Sequence, residues 1–118
     1  MCHVLVIEDE WLIGEHIEAI AREGGASSVD RAETEQEAID AALANPPAVI
    51  LSDVKLAKGT GPNAVWAIRE RLGACPVIFI TGTPEACEPC DYAHAILEKP
   101  LQPDRIIAAF RAVAPVRP

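Results

Sequence analysis

Short apolar runs alternate along this chain with longer stretches that repeat their apolar positions at helical spacing. The run at residues 47–53 leads through β-branched residues to a single carboxylate, and it predicts a strand buried on both faces of a parallel sheet. Three similar runs predict buried strands, and a more polar run predicts an edge strand because few of its side chains suit a core. The edge strand is expected at residues 26–32, and the three other buried strands are expected at residues 2–7, 75–80 and 92–97.

The intervening stretches predict four amphipathic helices. The first runs from Trp11 to Glu23 and stops at a Gly-Gly pair, and the second begins at a capping box formed by Thr34 and Glu37. The third and the last helix each begin beside a proline, which is favoured in a first helical turn. The side chains expected to face the core are Ile13, Ile17, Ile20, Ala21, Ala38, Ile39, Ala42, Leu43, Val65, Ile68, Leu72, Ile106, Ile107, Phe110 and Val113.

Strands that alternate with helices at this spacing indicate an α/β fold, in which helices cover both faces of a parallel sheet. Right-handed crossovers leave few ways to wind such a sheet, and five units favour the doubly wound, flavodoxin-like strand order 2-1-3-4-5. The chain shows no repeat and no linker, so one domain over residues 1–118 is expected.

Composition narrows the classes of function. Half of the 118 residues are apolar, and the formal net charge of −8 argues against nucleic acid or an anionic membrane as a direct partner. No apolar run approaches the roughly 20 residues that span a bilayer, and no leader precedes the first strand, so a cytoplasmic location is expected. Four cysteines, at positions 2, 75, 87 and 90, are too few and too unevenly spaced for a disulfide framework.

Polar residues cluster where the predicted strands end. Glu8 and Asp9 follow the first strand, Asp53 closes the third, Thr81 follows the fourth and Lys99 follows the fifth. Any one of these residues has an ordinary explanation as a helix start or a surface charge. In an open parallel sheet, however, all carboxyl ends of the strands lie along one edge, where ligands bind beside the switch in strand order. The sequence therefore predicts a single polar site.

The residue types in this site suggest its chemistry. Three neighbouring carboxylates repel one another and need a cation, and an all-oxygen donor set suits Mg²⁺. Asp53 is then placed to attack phosphorus as a nucleophile. The Lys99 ammonium and the Thr81 hydroxyl would neutralise the phosphoryl oxygens.

These motifs resemble those of the receiver domains of two-component response regulators, and the likeness covers essentially the whole chain. The motifs that carry it are Val6-Ile7-Glu8-Asp9-Glu10, Asp53-x-x-Leu56 with Gly61 eight residues after the aspartate, Ile80-Thr81-Gly82 and Lys99-Pro100.

The resemblance implies a role for each site residue. Asp53 would be the phosphoacceptor, and Glu8 and Asp9 would form the acidic metal pair, with Asp9 favoured as the direct Mg²⁺ ligand. The backbone carbonyl of Lys55 would also bind the metal, and the Lys99-Pro100 bond would be cis. A sensor histidine kinase or a phosphotransfer protein would donate the phosphoryl group. Phosphorylation would change a surface formed by the fourth helix, the fifth strand and the last helix, for a downstream protein partner. No output domain is expected.

Three departures from the family pattern point to a subgroup. The usual proline four residues after the phosphoacceptor is Ala57, and the aromatic switch residue expected three before the lysine is Ile96. Thr81 and Lys99 are also close together, so the fourth helix is expected to be short or irregular. The segment at residues 76–82 resembles the signature of the alphaproteobacterial FAT GUY single-domain receivers, although Val77 and Ile80, with Thr83 just beyond, do not fit it. Members of that subgroup take phosphate from HWE-type or related (HisKA_2-like) kinases.

Other functions stay open at this stage. The chain could drain phosphate from a shared kinase instead of relaying a signal. A phosphatase with an aspartyl nucleophile would need Asp-x-Asp after the first strand, and Glu8-Asp9-Glu10 stands there, so we expect a phosphoacceptor with slow self-dephosphorylation rather than an enzyme. Cys87 and Cys90, with His94 nearby, could carry redox or metal chemistry, but a single pair is a weak signal and two ordinary thiols are expected.

Overall fold

Buried strands and amphipathic helices form close to where the apolar pattern predicts them. The computed structural model describes residues 2–87 and 90–115. Helices alternate with strands, and a single 3₁₀ turn stands between the fourth and fifth strands. The elements in chain order are β1 (His3–Ile7), α1 (Trp11–Glu23), β2 (Ser28–Ala32), α2 (Glu35–Ala44), β3 (Val49–Ser52), α3 (Gly61–Leu72), β4 (Val77–Thr81), the 3₁₀ turn (Pro84–Ala86), β5 (Ala95–Glu98) and α4 (Pro103–Val113).

The five strands form one parallel sheet in the order β2-β1-β3-β4-β5, which confirms the flavodoxin-like topology. β1 and β3 are neighbours at its centre, and their last residues, Ile7 and Ser52, are partners in register. The acidic residues that follow these two strands therefore leave the sheet side by side. At the far side, Thr81 at the end of β4 pairs with Glu98 at the end of β5.

Alternate residues of each strand supply two separate cores, because successive side chains in a strand point to opposite faces. One core lies between the sheet and α2 and α3, and it includes Ile50 and Phe79. The other lies between the sheet and α1 and α4, and it includes Leu51 and Phe110. Both layers are needed to bury β3, whose four residues are all inaccessible to solvent.

Most residues predicted to face the core do so, with two exceptions. Leu43 and Leu72 were expected to be buried, but they are 38 % and 39 % exposed. Both lie in the last turn of their helix, where the apolar sequence pattern extends past the part of the helix that packs on the core. Within the described residues, no helix is both long enough and apolar enough to cross a membrane.

Among its described residues, 82–87 and 90–94, the connection between β4 and β5 holds no full helix. The predicted short or irregular fourth helix is the single 3₁₀ turn Pro84–Ala86, and β5 begins at Ala95, three residues later than the apolar run suggested. Ile96 of β5 is consequently 39 % exposed, since little structure covers this end of the sheet.

The bonding state of two cysteines differs from the prediction. Cys87 and Cys90 were expected to be two ordinary thiols, but a disulfide joins them. Their Cα atoms lie 5.5 Å apart, within the range that this bond requires. The spacing of two cysteines cannot by itself reveal such a bond. Cys2 and Cys75 are buried elsewhere.

Candidate functional site

Asp53 lies immediately after β3, at the carboxyl edge of the sheet. Its backbone amide donates to the carbonyl oxygen of Ile7 at 2.8 Å, so the pairing of β1 with β3 fixes its position. Its Oδ1 accepts a hydrogen bond of 2.7 Å from the backbone amide of Val54. Asp53 is only 8 % exposed, so its carboxylate is largely shielded from solvent.

A glycine makes room for the chain next to this aspartate. A side-chain carbon at Gly61 would collide with the carbonyl oxygen of Asp53 and the hydroxyl of Ser52. The Ser52 hydroxyl itself donates to that carbonyl oxygen at 2.7 Å. The start of α3 can therefore return to the end of β3 only because residue 61 has no Cβ.

Lys99 joins the end of β5 to the two central strands. Its Nζ lies 3.0 Å from Glu8 Oε1 and 3.0 Å from Asp53 Oδ2, so one ammonium serves two carboxylates. The Lys99 backbone amide also donates to the carbonyl oxygen of Thr81, at 2.9 Å. The Lys99-Pro100 bond is cis, as predicted.

Burial and charge shift the acid–base properties of this group. Burial raises the pKa of the Glu8 carboxyl to about 7, and the nearby Asp53 charge adds to the rise, although the hydrogen bond from Lys99 opposes it. Burial alone would lower the pKa of Lys99. The hydrogen bonds that it donates to Glu8 and Asp53 outweigh that effect, and the pKa of Lys99 is raised. Lys99 therefore stays protonated, while the neighbouring Glu8 carboxyl loses its proton only at a higher pH than usual.

The acidic residues meet the requirements of a divalent cation. Glu8, Asp9 and Asp53 each offer a carboxylate oxygen, and these oxygens all lie within 4.8 Å of one another. Three carboxylates against one Lys99 ammonium leave a formal charge of −2, which one divalent ion would balance. Oxygen donors of this kind are those that Mg²⁺ prefers. The donor set thus fits the predicted ion.

Among the described residues, neither Thr81 nor Lys55 forms a hydrogen bond or an ion pair with the Asp53 carboxylate. Thr81 is buried, and its hydroxyl accepts from the backbone amide of Thr83 at 3.0 Å and lies 3.2 Å from the Thr83 hydroxyl. Lys55 follows Asp53 by two residues and forms an antiparallel bridge with Thr60. The roles of the Thr81 hydroxyl and of the Lys55 carbonyl stay predictions.

Sequence reasoning missed one residue that supports the site. Glu35, at the start of α2, accepts a hydrogen bond of 3.1 Å from the backbone amide of Thr60, and its own amide donates to the carbonyl oxygen of Lys58 at 3.1 Å. Gly59, with φ of +85°, packs against the Glu35 side chain, where a Cβ would not fit. These contacts hold the loop that follows Asp53. No local pattern predicts them, since 25 residues separate Glu35 from Thr60.

Comparison with protein families gives a match over nearly the whole chain. Residues 4–111 match the model of the response regulator receiver domain. The phyllosphere-induced regulator PhyR of Methylorubrum extorquens is 35 % identical over 111 residues, which is 91 % of this chain and 41 % of the relative. The response regulator Rre1 of Synechocystis is 30 % identical over 120 residues, or 92 % of this chain and 49 % of the relative. The chain thus spans less than half the length of these curated relatives.

Solved structures show the same likeness. The PhyR response regulator REC domain of Erythrobacter litoralis, solved by NMR in solution, superposes with a TM-score of 0.83 at 31 % identity, over 95 % of this chain and 88 % of that one. A response regulator receiver domain protein from Clostridium thermocellum gives the same TM-score at 23 % identity, over 96 % of this chain and 94 % of that one. The second likeness bears on the fold alone.

Proposed function

The chain belongs to the response regulator receiver domain family of two-component systems, and we propose that Asp53 accepts a phosphoryl group in a Mg²⁺-dependent reaction. The observation that carries this proposal is the convergence of three strand ends. Lys99 binds both Glu8 and Asp53 at 3.0 Å, while Asp9 completes the carboxylate cluster. The site thus combines a nucleophile, a cation and an acidic metal pair.

Glu8, Asp9 and Asp53 would hold the magnesium ion, with the Lys55 carbonyl as a further ligand. When bound, Mg²⁺ neutralises charge on the phosphoryl oxygens and on the attacking carboxylate. A bound Mg²⁺ would balance the negative charge that three carboxylates keep beside the single Lys99 ammonium.

The chain's own residues supply the remaining steps. An oxygen of Asp53 forms the new bond to phosphorus, while the bond from phosphorus to the donor's histidine nitrogen breaks and the imidazole leaves with the electron pair. The Val54 amide holds the carboxylate in position for this attack. Lys99 already lies at the carboxylate and would neutralise a phosphoryl oxygen added there. The Thr81 hydroxyl would leave Thr83 to bind a second one.

Receiver domains interact with histidine kinases or phosphotransfer proteins, and we propose that an HWE-type or HisKA_2-like kinase is the donor here. The likeness to PhyR and the reduced fourth helix support placement in the FAT GUY subgroup. Phosphorylation would change the surface formed by the 3₁₀ turn, β5 and α4, on which exposed Ile96 lies, for a downstream protein. Such donors use cytoplasmic ATP, which supports a cytoplasmic location.

We propose stoichiometric acceptance and slow self-dephosphorylation rather than enzymatic turnover. The nucleophile follows β3, and the acid cluster after β1 lacks the Asp-x-Asp pair that a phosphatase of this type would use. Relay of a signal and drainage of a shared kinase use the same chemistry. They differ in whether a downstream protein binds the phosphorylated form.

Incubation with acetyl phosphate and Mg²⁺ tests the proposal directly. Intact-mass spectrometry should show one added phosphoryl group on the wild type and on Asp40→Asn, an exposed aspartate of α2 that serves as the matched control. Asp53→Asn and chelation of Mg²⁺ should each abolish the addition. Equal labelling of Asp53→Asn and wild type would refute the assignment of the phosphoacceptor.

A further inference from the structure

The Cys87–Cys90 disulfide lies in the connection between β4 and β5, where a 3₁₀ turn is the only helical element among the described residues. Both residues are buried, at 3 % and 7 % exposure, in the core on the α2 and α3 side of the sheet. Tyr92, which is partly buried, packs against the same core and meets Phe79 edge to face at 6.1 Å. The disulfide is therefore part of the packing between β4 and β5.

Two hydrogen bonds hold the short segment that joins Thr81 to this disulfide. The Thr83 amide donates to the Thr81 hydroxyl at 3.0 Å, and the 3₁₀ turn begins at the next residue. The Cys87 amide donates to the carbonyl oxygen of Pro84 at 3.1 Å, which closes that turn. Only six residues separate the Thr81 hydroxyl from the first sulfur. The Thr81 hydroxyl and the disulfide thus belong to one short segment of the chain.

Stability alone explains this disulfide poorly. The stabilisation that a disulfide gives grows with the length of the loop it closes, and these cysteines are three residues apart. Disulfides in a reducing cytoplasm are usually transient or redox-sensing. Both arguments favour a bond that forms and breaks.

We propose that Cys87 and Cys90 form a reversible dithiol–disulfide site, oxidised by a peroxide and reduced by a dithiol, that controls how readily Thr81 responds to phosphorylation. The second half of this proposal depends on the function proposed for Asp53, whereas the redox chemistry does not. The disulfide restrains the 3₁₀ turn and keeps the Thr81 hydroxyl bonded to Thr83. Reduction releases the turn, so that the hydroxyl can move toward a phosphoryl group.

The chemistry balances with these two reactant classes. One cysteine thiolate attacks the peroxide, so that a sulfur–oxygen bond forms, the oxygen–oxygen bond breaks and hydroxide leaves. The other thiolate attacks the resulting sulfenic sulfur, which forms the disulfide and releases a second hydroxide. The two sulfurs lose two electrons to the peroxide. In the reverse direction, a dithiol reductant attacks the disulfide through a mixed disulfide and becomes oxidised itself.

The redox half is tested by counting thiols in denatured protein. After peroxide treatment two cysteines should react with a thiol reagent, and after dithiothreitol four should react, with full interconversion over repeated cycles. Cys87→Ser/Cys90→Ser should give two under both conditions, while Cys75→Ala, the matched control, should still gain two on reduction. Four reactive thiols after peroxide treatment of the wild type would refute the site.

The control of Thr81 is tested by the initial rate of labelling with acetyl phosphate and Mg²⁺. Reduction should raise this rate by roughly threefold or more, a size typical of coupling within a domain. Cys87→Ser/Cys90→Ser should label at the fast rate under both conditions. If that variant fails to fold, the oxidised and reduced wild type still provide the comparison. Equal rates with normal labelling would refute the coupling alone, whereas absence of labelling in both forms would refute the phosphoacceptor and leave the thiol counts valid.

Discussion

Replacing Glu8 with glutamine should stabilise the metal-free protein at neutral and alkaline pH. The Glu8 side chain is buried, and its pKa is raised from 4.5 to about 7, chiefly by burial. The native state therefore keeps a proton on this carboxyl at pH values where the unfolded chain has released it. Glutamine has nearly the same shape, still offers an oxygen to Lys99 and never ionises.

The size and sign of the effect follow from that shift. A rise from 4.5 to about 7 corresponds to about 3 kcal/mol, because each pKa unit is worth about 1.4 kcal/mol. The wild type has the full benefit of a protonated Glu8 below pH 4.5 and loses it as the pH rises to about 7. The advantage of Glu8→Gln should thus be near zero at pH 4 and approach about 3 kcal/mol at pH 8.

Urea unfolding in the presence of a chelator, followed at several pH values between 4 and 8, measures this difference. Glu10→Gln is the matched control, since Glu10 is exposed and its side chain makes no capping hydrogen bond. A difference between Glu8→Gln and wild type that does not change with pH would refute the reasoning, as would a less stable variant at pH 8. Added Mg²⁺ should narrow the gap, because it favours ionised carboxylates in the wild type.

Three further substitutions probe the parts that support the site. Gly61→Ala should cost about 3 kcal/mol in urea unfolding, because its Cβ meets backbone, whereas Gly82→Ala, with open space around it, should change little. Glu35→Ala should speed hydrogen exchange of the Thr60 amide about fivefold, because the lost hydrogen bond is worth about 1 kcal/mol. Glu35→Gln should exchange at the wild-type rate. Unchanged exchange in Glu35→Ala would contradict the contact. Phe110→Ala should cost about 4 kcal/mol, since this side chain is 1 % exposed in the core under α4, and a loss below about 1 kcal/mol would contradict that packing.

Local sequence patterns predicted the α/β fold class, and they predicted that Glu8, Asp9, Asp53 and Lys99 would meet at one edge of the sheet. Thr34 caps α2 as the capping box indicated, accepting from the amide of Glu37 at 3.1 Å. The strand order followed because alternating strands and helices permit few windings. The site residues followed because a parallel sheet collects its strand ends along one edge, which is a property of the fold rather than of any contact.

The features that sequence could not provide depend on long-range geometry. The contact of Glu8 with Lys99 and that of Glu35 with the loop after β3 require the finished fold. The Cys87–Cys90 bond requires the two Cα atoms to lie 5.5 Å apart, which the spacing permits but does not demand. The start of β5 was misplaced because the apolar run from Tyr92 includes residues that pack on the core before the strand begins.

The contact between Glu8 and Lys99 joins residues that are 91 positions apart, so it can form only after most of the chain has been synthesised. A nascent chain presents Glu8, Asp9 and Asp53 first and exposes its balancing ammonium only after most of the polypeptide has emerged. Until then, no Lys99 ammonium is present to balance these carboxylates. The contacts that close this edge of the sheet therefore form only after residue 99 has emerged, so the acidic edge is completed late in synthesis.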